Sequence, residues 1–122
     1  MDILLDTHTL LWHLTDNPKL SKEKSEMIEN AENRKFFSIA SLWEIGIKKS
    51  IGKLEVKQPI NALVPKEIMI LELKISHIEK VIELPFYHRD PFDRIIIAQA
   101  FTENLTIMTE DENFKDYGIK IV

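Results

Sequence analysis

HRDPFDRIIIAQA, residues 88–100, contains the clearest helix start in the sequence. Asp90 precedes Pro91, and an aspartate cap followed by proline at the first helical position is typical of a helix N-terminus. Residues 95–101 are apolar almost all round, which predicts a central, buried helix. Asp93 falls at the third helical position, where a carboxylate favours the helix dipole. The stretch therefore predicts a buried helix with two carboxylates at its N-terminal end.

Outward from this helix, short apolar runs alternate with segments of helical spacing. The predicted strands are Ile3–Leu5, Phe36–Ile39, Met69–Leu73, Leu105–Met108 and Ile119–Val122. The predicted helices are His8–Leu14, a segment from the Ser21 cap to about Asn33, Leu42–Ser50 with Ser41 as its cap, a turn within Pro59–Lys66, a segment from Ser76 past Ile82, and a short helix within residues 109–116. This alternation favours an α/β sandwich, a mostly parallel five-stranded sheet with helices on both faces. Residues 1–122 are predicted to form a single domain.

The composition excludes several classes of protein. Of 122 residues, 44% are hydrophobic and 30% are charged, which excludes a disordered tail or a low-complexity linker. The absence of cysteine excludes a disulfide framework and a thiolate zinc site. Neither a membrane-spanning run nor a secretory leader is evident, so we expect a cytoplasmic protein with no membrane contact. The net charge of −4 argues against coating of nucleic acid by the overall field, but it permits a local basic rim.

Acidic side chains stand where a parallel sheet places its ligand crevice, outside the carboxyl ends of the strands. Asp6 follows the first strand, Glu44 lies in the first helical turn after the second, Asp111 closely follows the fourth, and Asp93 opens the buried helix. Carboxylates that are forced together repel one another unless a cation neutralises them. Oxygen ligands without cysteine favour Mg²⁺ or Mn²⁺, which can activate water and stabilise charge on a phosphate.

Each of these acids also has a purely structural interpretation. Asp6 can cap the helix that follows it, and Glu44 can pair at the surface with Lys48 one turn along. Asp111 lies in an acidic loop, where solvated carboxylates are ordinary. The two acids of the buried helix can serve as its cap and dipole partner. Only the joint arrangement of the acids favours a metal site.

Four motifs carry a resemblance to a known family. They are Leu4-Leu5-Asp6-Thr7-His8, Ser41-Leu42-Trp43-Glu44-Ile45, His88-Arg89-Asp90-Pro91-Phe92-Asp93-Arg94 and Leu105-Thr106-Ile107-Met108-Thr109-Glu110-Asp111. Together and in this order they resemble the PIN-domain ribonucleases, specifically the VapC-type toxins of toxin-antitoxin pairs. The resemblance spans nearly the whole chain. It implies a PIN-like three-layer sandwich and a metal-dependent endoribonuclease.

The resemblance also implies roles for individual residues. The catalytic and metal-binding pocket, for one or two Mg²⁺ or Mn²⁺ ions, would consist of Asp6, Glu44, Asp93 and Asp111. Thr7 and Thr109 would support this pocket with their hydroxyls, and Asp90 would be a structural or supporting acid. Glu110 is an alternative to Asp111, which we prefer by its position.

The activity that the resemblance implies is hydrolysis of an RNA phosphodiester by in-line attack of an activated water, which leaves a 5′-phosphate and a 3′-hydroxyl. The partners that it implies are an antitoxin protein, which could place an arginine into the acidic pocket, and a second copy of the chain in a homodimer. A candidate apolar contact surface comprises Leu10, Leu11, Leu14 and Trp43.

RNA that approaches an acidic pocket needs cations at the rim of that pocket. Arg94 adjoins Asp93 and is predicted to hold a phosphate bidentately, and Arg89 flanks the same motif. The lysines between residues 48 and 57 fit a solvated surface equally well. The histidines are predicted to be capping or surface residues, and both tryptophans to belong to the core or to a partner interface.

Two binding modules also fit part of the pattern. A phosphoacceptor receiver has an acidic pocket at its sheet edge, but it needs an acidic pair after the first strand and an aspartate at the end of the third. This sequence has the single acid Asp6 and Lys74 at those places. A PIN-like module that only binds a partner is the other alternative, although loss of a pocket acid would be expected in it.

Overall fold

The computed structural model describes all residues, 1–122. The strands are β1 (Asp2–Leu5), β2 (Arg34–Ser38), β3 (Ile68–Leu71) and β4 (Thr106–Met108). The helices are α1 (Thr7–Leu14), α2 (Lys22–Glu29), α3 (Ile39–Ser50), α4 (Ile60–Leu63), α5 (Ile75–Glu83) and α6 (Pro91–Glu103), and a 3-10 helix spans Glu112–Tyr117.

The sheet is parallel throughout, with the strand order β3-β2-β1-β4. β1 is an inner strand, and its Leu5 pairs with Phe37 of β2 and with Met108 of β4. The carboxyl ends of these three strands therefore meet at one edge. This arrangement confirms the predicted α/β class with a parallel sheet.

The predicted fifth strand, Ile119–Val122, is wrong. In its place a single parallel bridge joins Ile121 to Ile107 of β4. The 3-10 helix and its left-handed cap, Gly118 with φ of 72°, occupy the chain up to that point. Only the few residues after this turn can reach β4, so the sheet has four strands.

Alternate residues of β1 enter two separate hydrophobic cores. Ile3 and Leu5 belong to a core that includes side chains of α1, α2, α3 and α4. Leu4 points to the other face and packs in a core with α6 and the 3-10 helix. A strand that is apolar on both faces is typical of a sheet covered by helices on both sides. The predicted three layers are therefore present.

The N-terminus of α6 is capped as predicted. Asp90 Oδ1 accepts hydrogen bonds from the backbone N–H groups of Phe92 (2.9 Å) and Asp93 (3.2 Å), and Pro91 occupies the first helical position. Residues 96–100 are all buried, so α6 is the central helix that its sequence predicts. None of the helices is both long enough and apolar enough to span a membrane.

The predicted start of the helix after β2 is wrong. α3 begins at Ile39 rather than Leu42, because Ser38 at the end of β2 serves as its cap. The Ser38 hydroxyl accepts the backbone N–H of Ala40 at 3.1 Å. Ser41 is buried inside the helix and caps nothing.

The predicted end of the second helix is also wrong. α2 begins after the predicted cap Ser21 but ends at Glu29 rather than near Asn33. Asn30 adopts an extended conformation, and its side chain accepts the backbone N–H of Glu32 at 3.0 Å. This local hydrogen bond competes with continuation of the helix.

Candidate active site

A cavity of about 310 Å³ opens at the carboxyl edge of the sheet. It is lined by all four predicted pocket acids, Asp6, Glu44, Asp93 and Asp111. Its other lining residues are Thr7, His8, Trp12, Lys48, Asp90 and Glu110. The acids come from four separate segments of the chain, and the fold brings them together as the sequence predicts.

Asp6 is held at the junction of β1 and β4. Its backbone N–H donates to the carbonyl of Met108 at 3.1 Å, and its Oδ2 accepts the Thr109 hydroxyl at 2.9 Å. The same hydroxyl oxygen accepts the backbone N–H of Asp111 at 2.9 Å. Asp6 makes no side-chain capping bond to α1, so the alternative that its carboxylate caps this helix is wrong. Thr109 links the first acid to the last.

Glu44 lies in the second turn of α3, because the helix starts earlier than predicted. Its side chain is buried, with 5% of the residue exposed. The Thr7 hydroxyl donates to Oε1 at 2.8 Å, and Lys48 Nζ lies 2.9 Å from Oε2. This hydrogen bond raises the pKa of Lys48, so the ammonium stays charged beside the acid. The predicted pairing with Lys48 is thus present, but it stands at the cavity rather than on an open surface.

Asp93 is the acid whose protonation is most perturbed. Burial raises its pKa to about 8, with further contributions from the charges of Asp90, Asp6, Asp111 and Glu44. Burial also raises the pKa of Asp6. Both shifts show that the cavity disfavours the concentration of negative charge that its own side chains provide.

Asp111 and Glu110 both line the cavity, with different partners. Glu110 Oε1 forms an ion pair with Lys24 Nζ at 2.8 Å. Asp111 uses Oδ1 to accept the backbone N–H of Asn113 at 2.9 Å, as the cap of the 3-10 helix. The charge of Asp111, but not that of Glu110, is among the main influences on the pKa of Asp93. These contacts favour Asp111, and its preference over Glu110 stays a prediction.

The donor chemistry of the cavity fits a divalent cation that prefers oxygen, since its ligands are carboxylates and hydroxyls. As the side chains stand, no three acidic or histidine side chains converge closely enough to hold one ion. Coordination of one ion by three of these acids would therefore require their side chains to move closer together.

Arg94 does not reach the cavity. Its guanidinium is buried and donates to the carbonyl of Pro85 (2.8 Å) and to the hydroxyl of Tyr117 (3.2 Å), and it covers the ring of Phe86. One step along a helix turns a side chain by about 100°, so the residue after Asp93 faces another direction. The predicted phosphate contact of Arg94 is therefore wrong.

Several residues around the cavity were missed in the sequence. His8 and Trp12, one helical turn apart on α1, stack with ring centroids 5.5 Å apart at its rim. Their i, i+4 spacing could have shown that they share a face. His88 was also missed: its Nε2 lies 3.4 Å from Asp93 Oδ2, and its Nδ1 contacts Tyr117. Nothing in the sequence pattern could have predicted these two contacts.

Arg89 is exposed and lies outside the cavity lining, so its RNA contact stays a prediction.

The predicted apolar contact surface is not one patch. Leu10 is fully buried in the core, which contradicts its place on that surface. Leu11 and Leu14 line a groove of about 440 Å³ that shares His8 and Trp12 with the acidic cavity. Trp43, 67% exposed, lies in a different apolar groove, which Phe92 also lines.

Comparison with known proteins identifies the family and the fold. A family model described as PIN domain matches residues 3–120. The chain is similar to VapBC2 from Rickettsia felis bound to a DNA fragment from its promoter, with a TM-score of 0.75 and 18% identity over 100% of this chain and 98% of that one. It is similar to DNA-bound VapBC from Salmonella typhimurium, with a TM-score of 0.73 and 18% identity over 100% and 97% of the two chains.

A third similar structure is VapBC-1 from nontypeable Haemophilus influenzae, with a TM-score of 0.72 and 17% identity over 100% and 97% of the two chains. No curated protein matches the sequence. At these identities the structural similarity concerns the fold.

Proposed function

The chain belongs to the PIN-domain family, and from this membership we propose that it is a metal-dependent endoribonuclease, the toxin of a toxin-antitoxin pair. The observation that carries the proposal is the convergence of four acids from four segments on one cavity. A strongly raised pKa, such as that of Asp93, is typical of functional sites.

The four acids would hold Mg²⁺ or Mn²⁺, and the hydroxyls beside them would orient them. A divalent ion bound there supplies an activated water and neutralises charge on the phosphate. Thr109 fixes Asp6, and Thr7 fixes Glu44, through the hydrogen bonds described above. Outer contacts of this kind hold ligands in position and are worth about 10–100-fold in metal affinity.

RNA would enter past a rim with little free positive charge. Lys48 and Lys24 lie near the cavity, but each forms an ion pair with an acid there. We therefore assign the contact with the RNA backbone to exposed Arg89 at the start of the motif that contains Asp93. As an enzyme that acts on cellular RNA, the protein would work in the cytoplasm.

An antitoxin is the proposed protein partner, and the solved neighbours named VapBC support it. The groove lined by Leu11 and Leu14 joins the acidic cavity at His8 and Trp12. A helical or extended segment of the partner in this groove would reach the cavity mouth, where an arginine would pair with the acids. Loss of binding to the antitoxin in a Leu11→Glu variant would support this placement.

A homodimer through apolar helix faces is also part of the proposal. The exposed groove around Trp43 and Phe92 is the candidate contact, because exposed apolar patches of this kind mark interaction sites. Light scattering should give a mass of about twice the 14.3 kDa of one chain. A monomeric mass at high concentration would contradict the dimer.

The decisive experiment sequences new RNA ends after total cellular RNA is incubated with the purified protein and Mn²⁺. Parallel reactions contain the Asp93→Asn variant or a chelator. We expect discrete 5′-phosphate ends that vanish in both controls, and their positions would identify the target RNA. Ends that persist in the chelator would point to a contaminating nuclease.

The alternative, a non-catalytic PIN-like module with an acidic metal pocket, gives a different result in the same experiment. Mn²⁺ binding detected by calorimetry, together with no new RNA ends, would contradict the nuclease and favour the binding module. All four pocket acids are present and face the cavity, which favours the nuclease.

A further inference from the structure

A chain of partly buried polar contacts runs from the C-terminal 3-10 helix to Asp93. The Tyr117 hydroxyl lies 2.8 Å from His88 Nδ1, and His88 Nε2 lies 3.4 Å from Asp93 Oδ2. We call Tyr117, His88 and Asp93 the Tyr117 relay. Only Asp93 lines the acidic cavity, so the other two residues act from behind it.

The hydrogen bonds of Tyr117 fix the direction of its proton. Its oxygen accepts the backbone N–H of His88 at 3.3 Å and the guanidinium Nη1 of Arg94 at 3.2 Å. Both of these groups can only donate, and a hydroxyl oxygen has two lone pairs. The hydroxyl proton is therefore the group left to meet His88 Nδ1, so Nδ1 must accept.

The direction of this bond fixes the tautomer of His88. A neutral imidazole carries its proton on one of its two nitrogens, and the other nitrogen accepts. With Nδ1 accepting from Tyr117, the proton lies on Nε2, which faces Oδ2 of Asp93.

His88 Nε2 and Asp93 Oδ2 lie close to each other but do not form a hydrogen bond. His88 Nε2 is buried and has no hydrogen-bond partner. Its separation of 3.4 Å from Asp93 Oδ2 exceeds the usual length of an N–H···O bond, about 2.7–3.2 Å. Contacts in a site without its ligands are often long and tighten when the ligands bind.

We propose that Tyr117, held by Arg94, fixes His88 as an Nε2–H donor that positions the Asp93 carboxylate for the divalent cation. His88 is a positioning residue, because it acts through Asp93. This also gives the buried Arg94 a role, since its guanidinium occupies one lone pair of the Tyr117 oxygen. The proposal rests on the proposed function only in taking Asp93 as a metal ligand.

The first test determines the tautomer of His88 without RNA or metal. Long-range ¹H–¹⁵N correlation NMR of the ¹⁵N-labelled protein distinguishes a protonated ring nitrogen from an unprotonated one, and a His88→Gln variant assigns the signals. We expect His88 to be protonated at Nε2, and this preference to be lost in Tyr117→Phe. Tyr87→Phe is the matched control, because Tyr87 is 56% exposed and phenylalanine keeps the ring that packs edge-on against Tyr117.

Protonation of His88 at Nδ1, or an unchanged His88 spectrum in Tyr117→Phe, would overturn the relay. The second test measures Mn²⁺ affinity by calorimetry. We expect Tyr117→Phe and His88→Asn to weaken Mn²⁺ binding about 10–100-fold, the usual effect of losing such an outer contact. His88→Gln should retain most of the affinity, because its amide can donate from nearly the position of Nε2.

If Tyr117→Phe fails to fold, the comparison of His88→Gln with His88→Asn still tests the proposal. Equal Mn²⁺ affinity in His88→Asn, His88→Gln and the unchanged protein would overturn the positioning role. If the unchanged protein binds no Mn²⁺, the proposed metal site fails and the positioning role fails with it, whereas the NMR result for the tautomer stands alone. The two kinds of failure are thus distinguishable.

Discussion

Asp93 carries a proton at neutral pH in the metal-free protein, because its pKa is raised from 3.8 to about 8. Between these two values the folded protein binds a proton that the unfolded chain does not. The resulting contribution to stability is fully present below pH 3.8 and is lost as the pH rises through about 8. We expect urea unfolding of the metal-free protein to show stability that falls across this range.

The Asp93→Asn variant is the control for this pH effect, because its amide resembles the protonated acid in shape and charge. It should be more stable than the unchanged protein at pH 8 and similar to it near pH 4. Metal affinity should show the opposite trend, since Mn²⁺ must displace the proton and so binds more tightly as the pH rises. An unchanged slope in the variant would contradict this assignment of the proton.

Thr109 offers a separate test at the same scale. A Thr109→Val variant keeps the shape of the side chain but removes the hydroxyl that donates to Asp6 and accepts from Asp111. We expect a fall in Mn²⁺ affinity of about 10-fold or more, measured by calorimetry. The matched control is Thr9→Val, because the buried Thr9 hydroxyl donates only to the Met108 carbonyl. Both variants should lose about 1 kcal/mol of stability, but only the first should lose metal affinity.

The acids of the site could be predicted from the sequence because each follows a strand or opens the buried helix. The hydrogen bonds that hold these acids from the side away from the cavity could not be predicted. Arg94 adjoins Asp93 in the sequence, yet its direction depends on where Pro85 and Tyr117 are placed by the fold. A charged residue beside a ligand looks functional in the sequence, whether it faces the cavity or the core.

The elements that carry the acids differ in how strongly local sequence determines them. Asp90 caps α6 with two backbone contacts, so Asp90→Ala should cost about 1 kcal/mol in the free energy of unfolding, measured with urea. Ser21→Ala at the cap of α2 should cost a similar amount, because it also removes one side-chain cap. Unlike Ser21→Ala, loss of the charge at Asp90 should also lower the pKa of Asp93.

An Asp90→Asn variant separates these two effects, since asparagine is an equally good cap without the charge. Its stability should stay close to that of the unchanged protein at low pH, while proton uptake by Asp93 shifts to lower pH. NMR titration of the Asp93 carboxyl would measure this shift. If Asp90→Asn lost as much stability as Asp90→Ala, the charge of Asp90 itself would be needed at the cap.

The predicted boundaries fail where two residues of the same type compete for one role. Ser38 and Ser41 both precede the helical pattern of α3, and the sequence alone does not distinguish them. Ser38 is the cap of α3 because β2 ends at this residue, so its backbone already has the extended conformation that a cap requires. α6 has no such competitor, since proline fixes the first helical position.

At the scale of the whole molecule, charge would determine how RNA, the proposed substrate, reaches the site. The chain carries a net charge of −4, so each exposed cation at the cavity edge should matter. We expect Arg89→Ala to raise the KM for RNA several-fold and to reduce the salt dependence of log affinity by about one unit of slope. Lys66→Ala is the control, because Lys66 is exposed and precedes β3, at the amino ends of the strands and so away from the cavity. Equal effects of the two variants would contradict a local role for Arg89.

The overall architecture could be predicted because burial of both faces of the sheet determines the hydrophobic pattern of its strands. β1 is apolar at three successive positions, which is typical of a strand covered on both sides. The hydrophobic pattern does not show where the sheet ends. Ile119–Val122 has the composition of a strand, but the preceding turn leaves only Ile121 paired with β4.

The position of β1 between β2 and β4 governs when the site can exist during synthesis. Asp6 emerges from the ribosome early, yet its contacts with Met108 and with Thr109, 103 positions away, need almost the whole chain. Folding that depends on such distant contacts is slow to start. A growing polypeptide therefore has no assembled acidic cavity, and a prematurely terminated product would lack that cavity as well.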